Sequence, residues 1–441
     1  MRIENLTRAA RDRKSGLPDA RGYGSMPMDL NAFPMTESKP LKRSLSLPLL
    51  TFYGLGTILG AGIYVLVGKI AAHAGMYVPL AFLVAAVLTV FTALSYAELA
   101  VRYPKSGGAA VYVQAGFQRP WLAVFVGFLI ILTGVVSAAT LVNGFVGYLH
   151  VFWNLPAWLV ITLLVLAMGV LAAWGIAESV TVAAAITLFE LAGLFFILAV
   201  SGDRLADLPA RWPELIPPIE MQVWEGIFLG AFLAFYAFIG FEDMVNVAEE
   251  TQNPQRNLPR AILLSLGVAT LLYLLVAIAA VLSLPAKILA GSVAPLALLY
   301  TQSTGHTPAL ISLISLFAVV NGALIQIIMA SRLLYGMSSE GLLHPALSAI
   351  HPVRRTPLLA TALATLTVLI LALWLPLVTL AKATSFIMLI AFSLINLSLI
   401  RIKYRDPRSG GKFITPMWIP WAGFLTCGGF VLFQVVDFVR S

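Results

Sequence analysis

The feature that most constrains this chain is a series of long apolar runs. A run of about 20 apolar residues is long enough to cross the hydrocarbon core of a bilayer as a helix. Only 11% of the 441 residues are charged, whereas soluble proteins have about 25%. The sequence therefore predicts an all-α, multi-pass integral membrane protein. Its eleven predicted spans are residues 47–70, 78–101, 121–150, 157–174, 179–201, 223–249, 260–284, 309–333, 357–375, 379–400 and 418–439.

The charge distribution predicts the orientation of these spans. If the N-terminus is cytosolic, 22 of the 28 lysine and arginine residues fall in the N-terminal tail, the inner loops and the inner ends of the adjoining spans. The positive-inside rule favours this arrangement, and an odd number of spans then places the C-terminus outside. The net charge of +8 follows from this bias, so it calls for no nucleic-acid partner. We expect the protein in the plasma (inner) membrane, with the lipid bilayer as its partner.

The sequence gives no sign of an enzyme, a metal site or a cofactor. The single cysteine, Cys427, excludes an intramolecular disulfide, and the five histidines are scattered along the chain. The segment Gly62–Ile70 resembles a phosphate-binding loop only superficially. Five residues separate its glycines where four are required, and Ile70 stands where Ser or Thr is needed.

The first span contains a glycine-rich segment, Leu50–Ile70. Each glycine in a helix interior costs about 1 kcal/mol relative to alanine, so the cluster marks a place where the helix can open, which we put at Gly60–Gly62. An opened helix within lipid is tolerated only where protein buries it or where it lines a wet cavity. The alternative reading is that Gly56 and Gly60 form a GxxxG face that packs against another helix.

Polar side chains inside the spans are candidates for function. Span 3 carries polar residues spaced three or four apart and so on roughly one face, namely Thr133, Ser137, Thr140 and Asn143. They either line a cavity or form hydrogen bonds between helices. Span 5 has Glu190 near its middle, where a carboxylate costs about 2.5–3.5 kcal/mol on insertion scales. Glu190 is therefore a functional candidate, although a protonated Glu190 bonded to a neighbouring helix would be purely structural.

The sixth span resembles the first in being interrupted by glycine, here Gly230 and Gly240. Glu242 and Asp243 follow within the same apolar stretch, so they either approach the cytosolic exit or face a polar interior. Spans 1 and 6 each begin a block of five. Interrupted helices in corresponding positions of two repeats are a pointer to an inverted-repeat transporter with its site at the midplane.

Four motifs in order resemble those of the amino acid/polyamine/organocation (APC) superfamily of transporters. They are GTILGAGIYVLVG at Gly56–Gly68, YAELAVRYPKSGGAAVYV at Tyr96–Val113, FIGFEDMVNVAEETQNPQRNLPRAI at 238–262 and SRLLYGMSSEGLLHPAL at 331–347. The chain departs from the usual pattern at Ala110 and Val111 of the second motif, and at Ser339 and Glu340 of the fourth. The resemblance covers about residues 47–405.

The resemblance implies a LeuT-like fold, a 5+5 inverted repeat with broken helices 1 and 6. The expected organisation is a disordered basic cytosolic tail at 1–46, a first five-helix repeat at 47–201, an extracellular loop at 202–222, a second repeat at 223–405 and an additional helix at 406–441. The implied function is secondary active transport of amino acids. We expect proton-coupled symport; the alternatives are an amino acid/polyamine exchanger and a non-transporting amino acid sensor.

The resemblance also implies where an amino acid would bind. N–H groups freed at the first break sit at a positive helix end and suit a carboxylate, and carbonyls freed at the second suit an ammonium. The expected residues at the first break are Ile58, Ala61, Gly62 and Ile63. Those at the second are Phe235, Ala237 and Phe238. The side-chain pocket is expected to include Ser137, Asn143, Tyr236, Phe241 and Glu242.

Coupling is expected to involve Glu190. In some proton-coupled relatives a lysine occupies this position, counting forward from a stretch similar to Gly175–Ser179. A carboxylate there reverses the charge but keeps an ionisable group that can carry a proton. Sodium sites in this fold usually draw on hydroxyl groups of helix 8, and here the middle of span 8 offers Asn321 and no Ser/Thr pair. The substrate and the oligomeric state are not specified by the sequence.

Overall fold

The computed structural model of the protein describes residues 43–105, 108–174, 180–352, 354, 356–407 and 413–440, with the backbone alone at 61 and 180–185. The expected tail up to residue 42, residues 106 and 107 of the second motif and the stretch 175–179 lie outside the described residues. The elements found are helical throughout, apart from one isolated β-bridge between Leu45 and Thr251.

The first half of the chain begins with two helices that meet at a single glycine. Its helices are α1 (Leu47–Leu59), α2 (Ala61–Ala74), α3 (Val78–Arg102), α4 (Gly108–Phe117), α5 (Pro120–Leu149), α6 (Ala157–Trp174) and α7 (Val180–Val200). The region between the halves holds two short helices, α8 (Gly202–Ala206) and α9 (Leu208–Arg211). Arg211 fastens this region to the second half, since its Nη1 donates to the Leu282 carbonyl at 2.8 Å.

The second half also begins with an interrupted helix. Its helices are α10 (Met221–Tyr236), a 3₁₀ segment (Phe241–Glu250), α11 (Pro254–Ser283), α12 (Ala286–Gly291), α13 (Pro295–Thr304), α14 (Ala309–Ser339), α15 (Leu358–Trp374), α16 (Leu377–Arg405) and α17 (Trp418–Arg440). We predicted the seventh span to begin at residue 260, and the helix that contains it begins six residues earlier. The helix starts at Pro254, after Asn253 in the left-handed conformation, because its first turn is polar and apolarity alone did not reveal it.

Eight helical stretches of the described residues are long and apolar enough to cross a membrane. One of them, Leu47–Arg102, comprises α1 to α3, and two shorter apolar helices are Ile186–Val200 and Leu358–Trp374. The protein is thus an integral membrane protein with several apolar helices. The 5+5 repeat and the count of eleven spans stay predictions.

The core lies around the two interrupted helices. Most of α2 is buried, as are all residues from 230 to 245, which include the end of α10 and the start of the 3₁₀ segment. Side chains of α3, α5, α11, α14 and α16 pack around them. Large apolar side chains are exposed on α6, α15 and α17. That pattern is expected of helices that face lipid, where exposed apolar surface carries no cost.

Candidate functional site

The first interruption is a single residue. α1 ends at Leu59, Gly60 adopts φ −30° and ψ −158°, and α2 begins at Ala61. We expected an opening over Gly60–Gly62, but Gly62 is already helical. The N–H groups of Ala61, Gly62 and Ile63 lie in the first turn of α2, where they have no partner within the helix. The positive end of α2 therefore points at the interruption.

The second interruption is a tightened turn. After α10, the N–H groups of Ala237, Phe238 and Ile239 each donate to the carbonyl three residues earlier, at 3.0–3.2 Å. Gly240 has φ +132°, which favours glycine. The Glu242 carboxylate closes the turn, since its Oε2 accepts the Gly240 N–H at 2.9 Å.

The two interruptions contact each other directly. A Cβ at Gly62 would lie 2.5 Å from the Ala237 Cα. Thr57 Oγ1 donates to the Gly240 carbonyl at 2.9 Å. A Cβ at Gly240 would lie 2.2 Å from the Thr57 carbonyl oxygen. Gly62 and Gly240 are therefore needed for this close approach, whereas Gly60 supplies the interruption.

Tyr273 of α11 fastens the two interruptions from the side. Its hydroxyl lies 2.7 Å from the Ile58 carbonyl and 2.9 Å from the Ala237 carbonyl. A hydroxyl has one hydrogen, so it donates to these two acceptors in a shared or alternating way. The Phe235 carbonyl accepts the Phe238 N–H. The carbonyls of Phe235 and Ala237, two of the three that we expected to be free, thus have hydrogen-bond partners.

A β-bridge joins the far ends of the two half-helices. Leu45, just before α1, donates its N–H to the Glu250 carbonyl at 3.0 Å and accepts from the Gln252 N–H at 2.9 Å. Leu45 and Thr251 are both buried. Since Thr57 and Gly240 are also bonded, α1 and the 3₁₀ segment are joined near both ends.

The structure brings several expected pocket residues together. The Ser137 and Tyr236 hydroxyls share a hydrogen bond of 3.0 Å between α5 and α10. Phe241 packs against Phe392 of α16, with ring centroids 5.3 Å apart. Phe235 packs edge-on against the same ring at 5.8 Å. Hydroxyl groups and aromatic rings therefore surround the second interruption.

The side chains of Asn143 and Phe238 bond and pack away from the Ser137–Tyr236 hydroxyl pair. Asn143 donates to the carbonyls of Ala139 and Ala372, each at 3.1 Å, so it bonds α5 to α15. It lies six residues after Ser137 and hence on a different side of the helix. Phe238 packs against Tyr273 and Phe82 in the core. For Asn143 these contacts agree with the alternative that it forms a hydrogen bond between helices.

Glu190 is fully buried next to α2. Its carbonyl accepts the Tyr64 hydroxyl at 2.8 Å, and its Oε1 lies 3.4 Å from Asn321 Nδ2 of α14. The Tyr148 hydroxyl of α5 donates to the Tyr64 carbonyl at 2.5 Å. These bonds connect α5, α2, α7 and α14 around a carboxylate beside the first interruption. On the same side, a Cβ at Gly56 would lie 2.0 Å from Thr187 Oγ1, so Gly56 packs against α7.

One buried ion cluster was missed by the sequence reasoning. Glu98 of α3 accepts from Arg102 at 2.8 Å, from Lys403 of α16 at 2.7 Å, and from the N–H and hydroxyl of Thr415 at 2.8 and 2.6 Å. Lys403 also donates to the Thr415 carbonyl. The four-residue spacing of Glu98 and Arg102 was visible in the sequence. No sequence pattern indicated the partners in α16 and beyond.

Comparison with known proteins identifies the family. The amino acid permease family model matches residues 45–441. The chain is 31% identical over 419 residues to the branched-chain amino acid permease BcaP of Bacillus subtilis, covering 88% of this chain and 87% of the relative. It is 27% identical to the methylthioribose transporter of the same species, covering 89% and 88%. It is 29% identical to the vacuolar cationic amino acid transporter 2 of Arabidopsis thaliana, covering 83% of this chain and 61% of that protein. The protein therefore belongs to the amino acid permease family, whose members are transporters and not enzymes.

Proposed function

We propose that the protein is a secondary active transporter that moves α-amino acids in symport with protons. The amino acid would bind where the two interruptions meet. Its carboxylate would take the N–H groups at the start of α2, near Ala61, Gly62 and Ile63. Its ammonium would take carbonyls at the end of α10, where those of Phe235 and Ala237 can each accept a second hydrogen bond. The proposed orientation has the N-terminus in the cytosol and the C-terminus outside.

The contact between the two interruptions is the observation that supports this proposal best. The positive end of α2 and the negative end of α10 lie against each other at Gly62 and Ala237. A zwitterion fits such a pair of half-helix ends because its two charges are opposite and close together. Recognition through the backbone reads the head group that all α-amino acids share.

The Ser137–Tyr236 hydroxyl pair and the rings near Phe241 would contact the substrate side chain. The names of the relatives in Bacillus subtilis and Arabidopsis thaliana include branched-chain and cationic amino acids, so side-chain preference varies within the group. A thermal-shift screen of the purified protein against the twenty amino acids and common amines would identify the preference, since a ligand of the folded state raises its apparent stability.

We assign proton coupling to Glu190. A carboxylate buried in a membrane protein binds a proton readily when it loses stabilising partners, and Glu190 contacts residues of α2 and α14. A change in the α2 packing would therefore change its affinity for protons. This links the proton to the first interruption, where the substrate carboxylate is expected.

The test is uptake into proteoliposomes with an imposed pH gradient. Glu190→Gln should reduce the stimulation by an inward proton gradient at least tenfold while the thermal shift with substrate is retained. Glu340→Gln, which changes an exposed carboxylate at the end of α14, is the matched control and should behave as the native protein. Unchanged pH-driven uptake by Glu190→Gln would refute the assignment.

Counterflow separates symport from exchange. An exchanger takes up labelled substrate only when substrate is present inside the vesicles, whereas a symporter shows net uptake into empty vesicles. Binding without any transport in either assay would instead indicate a sensor.

A further inference from the structure

Three buried polar atoms beside the 3₁₀ segment have no hydrogen-bond partner among the described residues. They are the hydroxyls of Tyr96 in α3 and Tyr112 in α4, and Oδ2 of Asp243. Both tyrosines are 0% exposed and Asp243 is 2% exposed. Each unpaired buried group costs about 1–3 kcal/mol, so three of them on adjoining elements call for a ligand that satisfies them.

Ring contacts place the two tyrosines together. Tyr96 meets Tyr112 edge-on, with centroids 5.9 Å apart, and meets Phe241 of the 3₁₀ segment at 5.5 Å. Tyr96 also packs against Phe392 of α16 at 5.7 Å. α3, α4 and the 3₁₀ segment therefore converge on Tyr96.

The register of the 3₁₀ segment turns Asp243 towards α4. Residues three apart share a face of a 3₁₀ helix, so Asp243 lies on the same face as Asn246. A Cβ at Gly108, the first residue of α4, would lie 2.6 Å from Asn246 Oδ1. Tyr112 follows Gly108 by one helical turn and shares its face. The acid and the phenol thus lie on facing surfaces.

The surroundings are negative. Glu242 precedes Asp243 and acts on it electrostatically, and both carboxyl groups act on the Tyr96 hydroxyl. Glu242 Oε2 is already held by the Gly240 N–H. α4 contributes the Tyr112 hydroxyl, and α16 contributes the apolar ring of Phe392. Asp243 Oδ2 is the carboxylate oxygen of this cluster that is buried without a hydrogen-bond partner among the described residues.

We propose that Asp243, Tyr96 and Tyr112 form a binding site for a small monovalent cation, hydronium or Na⁺. All three donors are oxygen atoms, which hard cations prefer. A single positive charge balances the carboxylate, and burial strengthens their attraction. The site is distinct from Glu190, since it lies between α3, α4 and the 3₁₀ segment. A cation bound there would hold the 3₁₀ segment against α3 and α4.

The test measures the apparent melting temperature of the purified full-length protein without substrate. In one arm NaCl replaces choline chloride at constant ionic strength and pH. In the other, pH is lowered from 8 to 5 without Na⁺. A ligand at about 100 times its Kd should raise the melting temperature by about 3 °C. A rise with NaCl identifies Na⁺, and a rise in acid identifies the proton.

Three variants decide whether the effect belongs to this site. Asp243→Asn should abolish the cation-dependent rise, and Tyr112→Phe should shift its midpoint at least threefold to higher cation concentration. Tyr112→Phe is the milder change and decides the matter if Asp243→Asn does not fold. Ser312→Ala removes a buried hydroxyl of α14 that also has no hydrogen-bond partner in the described residues, and should leave the rise unchanged.

The proposal is overturned if neither cation raises the melting temperature of the native protein, or if the midpoint of the cation dependence is the same in Tyr112→Phe as in the native protein. Because the readout is cation binding and not uptake, this outcome is independent of the Glu190→Gln experiment. The cation-site proposal can therefore be rejected while the proton-coupling assignment to Glu190 is retained. The assignment to Glu190 can likewise be rejected while the cation site is retained.

Discussion

The Thr57 hydroxyl donates a 2.9 Å hydrogen bond to the Gly240 carbonyl and so joins the two helix interruptions across 183 residues of sequence. At the other end of the same two half-helices, Leu45 pairs with the chain around Thr251. Two attachments about a dozen residues apart restrain both translation and rotation. We therefore expect α1 and the 3₁₀ segment to move as one body when the site opens.

A disulfide between Leu45→Cys and Thr251→Cys should leave transport intact. Neighbouring strands lie about 4.8 Å apart, within the range that a disulfide spans. Cys427, the only native cysteine, would be replaced by serine so that no other pair forms. Uptake is measured before and after oxidation, with each single-cysteine variant as control. Uptake that stops on oxidation and returns on reduction would show that the pair separates during transport.

Gly240→Ala should reduce uptake at least tenfold and lower the apparent melting temperature. The φ of +132° disfavours a side chain, and the new Cβ would lie 2.2 Å from the Thr57 carbonyl oxygen. The matched control is Gly267→Ala in α11, where a Cβ meets nothing within 4 Å. That change should be neutral or slightly stabilising. Equal behaviour of the two variants would contradict the close approach of the interruptions.

Gly56→Ala should destabilise the protein, and Thr187→Ala should rescue it. The added Cβ would lie 2.0 Å from Thr187 Oγ1, and overpacking of this kind costs about 1–3 kcal/mol. Thr187→Ala removes that oxygen, whereas Thr187→Ser keeps it and should give no rescue. The measurement is thermal stability of the two single and two double variants. If serine and alanine rescue equally, the Gly56 contact is not the cause.

Lys403→Met should cost about 3–5 kcal/mol because it leaves the Glu98 carboxylate buried without its closest cation. The double change Glu98→Gln with Lys403→Met should recover part of the loss, since no unpaired charge then remains. Arg401→Met serves as control, because Arg401 is exposed in the same helix. Thermal inactivation half-life reports the difference for a membrane protein that unfolds irreversibly. A double variant no better than Lys403→Met would argue against a charge-pair origin.

The existence of the interruptions could be predicted from the sequence, but their mutual contact could not. Clustered glycines in Leu50–Ile70 and the pair of glycines in span 6 indicated where helices break. The sequence did not show which glycine breaks the helix and which permits close packing. Gly60 has open space around it, whereas Gly56, Gly62 and Gly240 each face another element. That difference depends on neighbours far away in the chain.

Polar side chains within spans were harder to interpret than glycines. Ser137 and Asn143 were expected on roughly one face, yet Ser137 meets Tyr236 and Asn143 meets α15. Residues three or four apart are neighbours on a helix, but residues six apart need not share a face. The spacing of the polar residues therefore did not show which of them lie together. Tyr273 carried no signal at all, because a tyrosine in an apolar helix is ordinary and its two acceptors lie on other helices.

The saturation of Glu98 has a consequence for how the protein is made. Its partner Thr415 lies 317 residues later in the chain, so at roughly 5–20 residues per second the wait between their synthesis is about 15–60 s. During most of that time Arg102 is the one member of this cluster besides Glu98 that has been synthesised. The complete set of Glu98 hydrogen bonds can therefore form only after almost the whole chain has been made. A chain truncated before Thr415 should then be recognised by the cell's quality control as incompletely folded.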